Sequence, residues 1–531
     1  MSLFRAVATV GSFTLLSRLT GFARDILIAG YLGAGSVADA FFVAFKFPNL
    51  FRRLFAEGAV AAAFVPLYST TLEQEGEAEA HSFARRAFTV LGLVLAVFVG
   101  LMEVAMPIAI YAFAPGFEAV PGKLELAEEL TRITFPYLLL ISLCSLLSGV
   151  LNSLGRFAAA AAAPVLLNLG MIAGLLGLQH VTETPGHALA IAVTATGVVQ
   201  LAWLWVACRR AGVRIFFVRP TITPRIKLLA KRILPVAFGA GLYQISLLVD
   251  TILASLVSDG AVSYLYYADR VTQLPLGVVG VAMGTALLPL LSRQIAAGNL
   301  EAAHYNQNRG IEVSLLLTLP AMTGLIVIAT PIVIALFQRG AFGTAEAEAT
   351  AGALAAFALG LPAYVLVKVL TPGFFARHDT RTPVWCAGIA MVVNVVLNLI
   401  LMQTMGHVGI ALATGIAAWV NAVGLAVVLQ RRGHLALDAR ARSRLPRIVV
   451  ASAIMAVALY AAQTWALPAL PTDGGLIGEL SAVGILVALV AVGAGSYAAA
   501  AFALRATTVS DFKSMLRPRR AAAATQAPPA P

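Results

Sequence analysis

The chain is 531 residues long, 60% hydrophobic and only 12% charged, with a formal net charge of +12. Soluble domains carry about a quarter charged residues, so this composition excludes an ordinary water-soluble fold. The basic residues are scattered between apolar runs rather than gathered into one stripe with interleaved aromatics, which argues against nucleic acid as a partner.

Apolar runs long enough to cross about 30 Å of hydrocarbon recur along the whole length, whereas the alternating ten-residue strands of a membrane barrel do not. The expected fold is all-α, a polytopic membrane protein of about 14 transmembrane helices. In chain order the predicted spans are about 6–32, 37–69, 84–113, 127–152, 157–179, 187–208, 228–257, 262–293, 308–337, 349–376, 382–403, 407–430, 446–466 and 474–504. The first follows Arg5 as a signal peptide would, but it contains Arg18 and Arg24 and lacks a small-residue cleavage site, so it reads as a retained helix. At the other end, 507–531 is a basic, Ala/Pro-rich tail of the kind that stays disordered.

Alternate connections are rich in arginine, among them those holding Arg85 and Arg86, Arg209 through Arg232, Arg377 and Arg381, and Arg431 through Arg444. The intervening loops at 33–36, 179–187, 258–263, 402–407 and 467–475 hold no Lys or Arg, with Lys123 and Arg339 the exceptions to the pattern. The positive-inside rule places both termini in the cytoplasm, which an even number of crossings satisfies.

Segments about 223–226 residues apart resemble one another. GAVAAAFVPLYS at 58–69 aligns with VAMGTALLPLLS at 281–292, and MPIAIYAFAPGF at 106–117 with TPIVIALFQRGAF at 330–342. Phe135-Pro136-Tyr137 pairs with Leu361-Pro362-Ala363. Three collinear matches indicate a duplication: a six-helix lobe at 1–212, a second at 213–432, and two appended helices at 433–506. Repeats in the same orientation suit a transporter that rocks two bundles about a central site.

Charge inside a span costs about 2.5–3.5 kcal/mol per Arg or Lys and normally faces a polar cavity. Counted across the first, second, eighth and tenth spans, Arg18, Arg24, Lys46, Arg52, Arg53, Arg270 and Lys368 stand against Asp25, Asp39, Glu57 and Asp269, a surplus of three cations. Asp39, Lys46 and Arg53 recur at heptad spacing, as do Arg18 and Asp25. One reading is internal ion pairing that only holds helices together; the other is a cavity poised for an anion, with guanidinium forks matching phosphate oxygens. A quieter group of oxygen donors, Asp250, Asn394, Asn398 and Thr414, suits a hard cation such as sodium, or else simply hydrogen-bonds neighbouring helices.

Enzymatic chemistry has little footing. There is no Gly-rich phosphate loop, paired-Asp metal motif or Gly-x-Ser-x-Gly, and Cys144, Cys208 and Cys386 are isolated. The seven histidines lie at helix ends or in loops without metal spacing and read as surface or interfacial; Glu73, Glu75, Glu77 and Glu79 read as a solvated run.

SRLTGFARD at 17–25, DAFFVAFKFPNLFRRLFAEGA at 39–59, FVP at 64–66, APGF at 114–117, YYADR at 266–270 and VKVLTPGFFAR at 367–377 resemble the MurJ/MviN family, lipid II flippases of the multidrug/oligosaccharidyl-lipid/polysaccharide exporter superfamily. The resemblance covers essentially the full chain. It implies a bacterial inner-membrane flippase that works by alternating access and carries lipid II, the undecaprenyl-diphosphate-linked disaccharide pentapeptide, between leaflets. Its central cationic cavity corresponds to Arg18, Arg24, Arg52 and Arg270, with Asp39 as a functional acid; Lys46, Arg53 and Lys368 extend the same set of charges. Arg447 matches a basic residue of a groove for the lipid tail. The sodium ligands of some members match Asp250, Asn394, Asn398, Ile410 (through its carbonyl) and Thr414, although Asn398 stands where a carboxylate is expected. Membrane lipids and proteins of cell division and peptidoglycan synthesis are the implied partners, and one chain suffices for a cavity. Rival readings are a flippase for another polyprenyl-diphosphate glycan and a multidrug/cation antiporter; the cationic surplus disfavours the latter.

Overall fold

A computed structural model describes residues 3–52, 59–466, 468 and 475–508. Among them there is no β-strand, and every expected span falls on helix. The helices are α1 (Leu3–Leu32), α2 (Ser36–Arg52), α3 (Ala59–Glu75), α4 (Glu77–Phe113), α5 (Lys123–Thr134), α6 (Tyr137–Ser153), α7 (Phe157–Leu178), α8 (Pro185–Arg210) and α9 (Pro224–Ser255). They continue as α10 (Ala261–Ala296), α11 (Leu300–Val327), α12 (Ala329–Phe337), α13 (Thr344–Ala358), α14 (Leu361–Phe375), α15 (Arg381–Arg431), α16 (Ala439–Ala466) and α17 (Leu476–Ala503).

Nine helical stretches among the described residues are long and apolar enough to cross a bilayer. The remaining expected spans fall on α1, α2 with α3, α9 and α10. Helices outnumber spans because some spans are broken. Pro136 separates α5 from α6, and Gly360 with Pro362 separates α13 from α14. These are the two members of one matched pair in the repeat, so the same local break recurs at both places. Proline removes a backbone donor and crowds the preceding turn, which ends or kinks a helix there.

The described chain divides into two compact units. One takes Met1–Val271, Leu336–Ala353 and Asn394–Ala413; the other takes Thr272–Ala335, Leu354–Val393 and Thr414–Pro531. In the first, Phe64, Tyr68, Phe83, Leu147, Leu204 and Ile226 are buried together, with Phe64 stacked between Tyr68 and Phe83. In the second, Leu291, Val369, Phe374, Leu425 and Leu429 form a core. There α16 and α17 pack on each other and on α11, with Ile448, Ala451 and Ala501 buried and the Tyr497 hydroxyl donating to the Leu316 carbonyl at 2.7 Å. Gly493 permits that approach: a Cβ there would lie 3.0 Å from Met455 Cε.

The surface is apolar where a soluble protein's is polar. Val104 and Ile108 on α4 are 82% and 76% exposed, and Val457 on α16 is 71% exposed. Meanwhile Arg24, Asp25, Asp39 and Lys123 are buried. Lipid is the solvent that stabilises this arrangement.

Gly406 bends α15 with φ 58° and ψ −134°, a conformation closed to residues with a side chain. Gly406→Ala must strain the backbone and push its methyl to 3.3 Å from Val257 Cγ1. The expected cost is about 1–3 kcal/mol, read as a lower thermal unfolding midpoint in detergent; an unchanged midpoint would mean the bend can relax.

Candidate functional site

Two buried charged clusters lie in the first unit. In one, α1 presents Arg24 and Asp25 side by side. Arg24 Nη2 lies 2.6 Å from Asp25 Oδ1, and its Nη1 donates to Asn168 Oδ1 on α7 at 2.9 Å. Asn168 is held in turn by donating to the Ser17 carbonyl at 2.9 Å, and Gly21 makes room for its amide. From α10 the Tyr266 hydroxyl donates to Asp25 Oδ1 at 3.2 Å, while Phe42 on α2 stacks on the Tyr266 ring at 3.8 Å between centroids. Arg270 completes the set. Its Nε lies 3.4 Å from Asp25 Oδ2 and its guanidinium 4.7 Å from the centre of the Tyr266 ring.

Asp25 therefore serves two arginines, and the trio keeps one net positive charge. The two arginines differ in access: the Arg24 side chain is 7% exposed and that of Arg270 is 32% exposed. Arg24 is a clamped structural cation. Arg270 is held by one carboxylate oxygen of Asp25 and by the Tyr266 side chain, with Asp269 also nearby, and is partly exposed.

Of the other predicted cations, Lys46 lies within electrostatic reach of Asp269, Asp250 and Arg270. Arg18 is exposed, about 9 Å back along α1 from Arg24. Lys46 and Arg52 are half-buried on α2, and Lys368 is exposed on α14 in the second unit. Arg53 and Glu57 lie outside the described residues.

Asp39 belongs to the second cluster. Its Oδ2 lies 2.7 Å from Lys123 Nζ and accepts from the Gly260 backbone at 2.8 Å; its Oδ1 accepts from the backbone of Ser263 at 2.8 Å and from its hydroxyl. A carboxylate seated on the N-terminus of α10 answers the orphan N–H groups and the positive end of the helix dipole. Gly260 is required there, with φ 85° and the Ala34 carbonyl 2.4 Å from where a Cβ would stand. Lys123 Nζ also reaches Asp259 Oδ1 at 2.6 Å and lies 4.2 Å from the Phe117 ring centre. Partial burial opposes the Asp259 carboxylate, but hydrogen bonds from Lys123 and the Ser36 hydroxyl outweigh it and hold its pKa below the usual carboxylate value.

Sequence reasoning missed Lys123 as a site residue, yet it carried a signal: it was one of two basic residues on a side otherwise free of them. The structure supplies the reason. Lys123 is the first residue of α5 and only 2% exposed, a buried partner for Asp39. Asn168 and Tyr266 gave no such signal, because an amide and a phenol do not disturb a charge count.

The oxygen donors converge in part. Asn398 Nδ2 donates to Asp250 Oδ1 at 2.8 Å and to Asn394 Oδ1 at 3.2 Å, while Asn398 Oδ1 is buried without a hydrogen-bond partner among the described residues. Ile410 is buried in the same unit; Thr414 is the first residue of the last segment of the second. Arg447 on α16 is exposed, with Nη1 3.4 Å from the Arg505 carbonyl. One surface expectation needs correction. His187 is only 6% exposed, its ring between the Thr184 hydroxyl and the Glu129 carboxylate. The acidic run is solvated as expected, with Glu73, Glu75 and Glu77 exposed and Arg225 paired to Glu75 and Glu79 at the surface.

The sequence model of the family described as lipid II flippase MurJ matches residues 28–470. The chain belongs to the MurJ family. A probable lipid II flippase MurJ of Rhizobium meliloti (strain 1021) is 46% identical over 518 residues, covering 97% of this chain and 96% of the relative. The lipid II flippase MurJ of Burkholderia cenocepacia is 37% identical over 82% of this chain and 85% of its own length. Among solved structures, a lipid II flippase MurJ in an inward closed conformation superposes with TM-score 0.72 at 27% identity, covering 91% of this chain and 98% of that one. An inward-facing multidrug transporter of the MATE family superposes at 0.64 with 17% identity, over 78% of this chain and 94% of its own, a likeness of fold alone.

Lys123→Met leaves Asp39 buried without its cation, and removing one partner of a buried pair costs about 3–5 kcal/mol. The expected result is a large drop in thermal midpoint that Asp39→Asn, Lys123→Met together partly recovers. Strictly additive losses would show that the pair is not coupled.

Proposed function

We propose that this chain moves lipid II from the inner to the outer leaflet of a bacterial cytoplasmic membrane, with its diphosphate met by Arg270 beside the buried Arg24–Asp25 pair. The observation that carries the reading is the net positive charge of that trio together with the partial exposure of Arg270. A planar guanidinium offers parallel donors to two phosphate oxygens, and Arg18, Lys46, Arg52, Arg53 and Lys368 extend the attraction along the path. Family membership supports the substrate; the cluster supports the mode of binding.

The cycle is alternating access between the lobes 1–212 and 213–432. The prenyl tail stays in lipid along 433–506 near Arg447, and both termini, including the tail 507–531, face the cytoplasm. In this scheme the Asp39–Lys123–Asp259 cluster, at loops assigned to the outer side, is a bond that opens and closes during transport. One chain carries the whole path, and partners are sought among division and peptidoglycan-synthesis proteins. A drug-cation antiporter is disfavoured because two arginines against one aspartate repel an organic cation. Another polyprenyl-diphosphate glycan satisfies the same chemistry and is the second reading.

Sodium fits the oxygen donors. Turning the Asn398 carboxamide would aim its orphaned Oδ1 at the centre now occupied by its own NH2, beside Asp250 and Asn394. The Ile410 carbonyl, in the same unit, would join the set, and the ion would bias the cycle. Sodium, compared with potassium at equal ionic strength, is expected to raise the thermal midpoint of the wild type and leave Asp250→Asn unmoved; identical wild-type midpoints in both salts would remove sodium from the scheme.

The deciding experiment is complementation in a host depleted of its own flippase, with externally exposed lipid II labelled. Wild type should restore exposure. Arg270→Ala should abolish it at matched membrane abundance, whereas Arg24→Ala should lower both abundance and exposure because it strips Asp25 of its buried partner. Abundant wild type that restores nothing would shift the reading to another polyprenyl-linked glycan.

A further inference from the structure

A basic recess lies apart from both charged clusters. Ser82, Arg85 and Arg86 in the first three turns of α4 face Val218, Arg219 and Thr221 of the segment joining α8 to α9 across a space of about 310 Å³. The joining segment is pinned to α4. The Val218 backbone donates to Thr89 Oγ1 at 3.0 Å, the Arg85 guanidinium lies 4.9 Å from the Phe216 ring centre, and Phe217 packs on Phe88 at 5.1 Å. Val213 and Ile215 anchor its start in the apolar core. The walls are thus set by packing.

The charges of this recess are unbalanced. Among the described residues none of Arg85, Arg86 and Arg219 contacts a carboxylate, while the nearby acids Glu75 and Glu79 are taken by Arg225. Three guanidinium groups with the Ser82 and Thr221 hydroxyls form a donor set for a tetrahedral oxyanion. Beside them Phe216, Phe217 and Ile222 are 49%, 65% and 70% exposed. Arginines next to exposed aromatic and aliphatic side chains mark the headgroup level of a membrane, where polar tips meet acyl chains.

We propose that this recess binds the phosphodiester headgroup of an anionic phospholipid, with Phe216, Phe217 and Ile222 against its acyl chains. A zwitterionic amine headgroup is selected against, because its ammonium would face three guanidinium groups. The lipid would fasten the joining segment and α4 to one leaflet. That this leaflet is the inner one rests on the orientation proposed above; binding itself does not.

The test is native mass spectrometry of the full chain purified from nanodiscs holding equal phosphatidylglycerol and phosphatidylethanolamine. Wild type should retain phosphatidylglycerol preferentially. Arg85→Gln, Arg86→Gln and Arg219→Gln should each weaken retention about fivefold, and the triple variant should show no preference. Arg209→Gln with Arg210→Gln, arginines of the same connection outside the recess, should retain the wild-type preference. Equal loss in that control would mean diffuse surface charge and overturn the site, as would undiminished preference in the triple variant. Inorganic phosphate that binds lipid-free wild type and displaces phosphatidylglycerol would reassign the recess to a soluble anion. The single variants, checked by thermal midpoint, keep the test valid if the triple variant does not fold. Lipid II exposure in the complementation assay reports separately on the transport reading.

Discussion

Asp25 is shared by two arginines, and much of the first unit is arranged to make that sharing tolerable. A bare guanidinium in a lipid-embedded helix is costly, and a buried carboxylate is no cheaper. The structure meets both costs with groups from several helices: Asn168 from α7 accepts from Arg24, and Tyr266 and Arg270 from α10 reach Asp25. Each of these contacts positions a helix as well as a charge. Small residues are the counterpart, since Gly21 leaves the gap into which the Asn168 amide fits. Polar satisfaction and close packing are therefore one constraint here.

The second cluster is tied to the first through α10. Ser263, which binds Asp39, and Arg270, which binds Asp25, lie seven residues apart on that helix, two turns or about 10 Å. A helix segment of that length moves as a rigid body. Withdrawal of its N-terminus from Asp39 would therefore displace Tyr266 and Arg270 relative to Asp25. One helix thus contacts both buried acids.

Much of the architecture was legible in the sequence because lipid imposes simple rules. Long apolar runs became helices, although the continuous spans expected at 127–152 and 349–376 each break, at Pro136 and beside Pro362. Arg24 and Arg270 were legible as expensive charges; their meeting on Asp25 was not, since contacts between α1 and α10 depend on packing that no periodicity encodes. Asp39 was legible as a buried acid, but its partner looked like a stray loop lysine. The positive-inside pattern counts charges by side and cannot tell a solvated lysine from one sealed against Phe117. Asn398 shows the limit of matching by position, because the sequence leaves open which end of its amide faces Asp250.

The contrast between the arginine groups follows from their countercharge. Arg24 and Arg270 share one carboxylate, so a ligand arriving there competes with Asp25 and gains only the residual charge. Such a site can release what it binds, as a transporter's must. Arg85, Arg86 and Arg219 have no carboxylate to return to among the described residues, so an anion held there has no intramolecular competitor. Under the two proposals, the first arrangement meets a passing diphosphate and the second a resident headgroup. What separates the two arginine groups is whether the fold supplies an acid beside them.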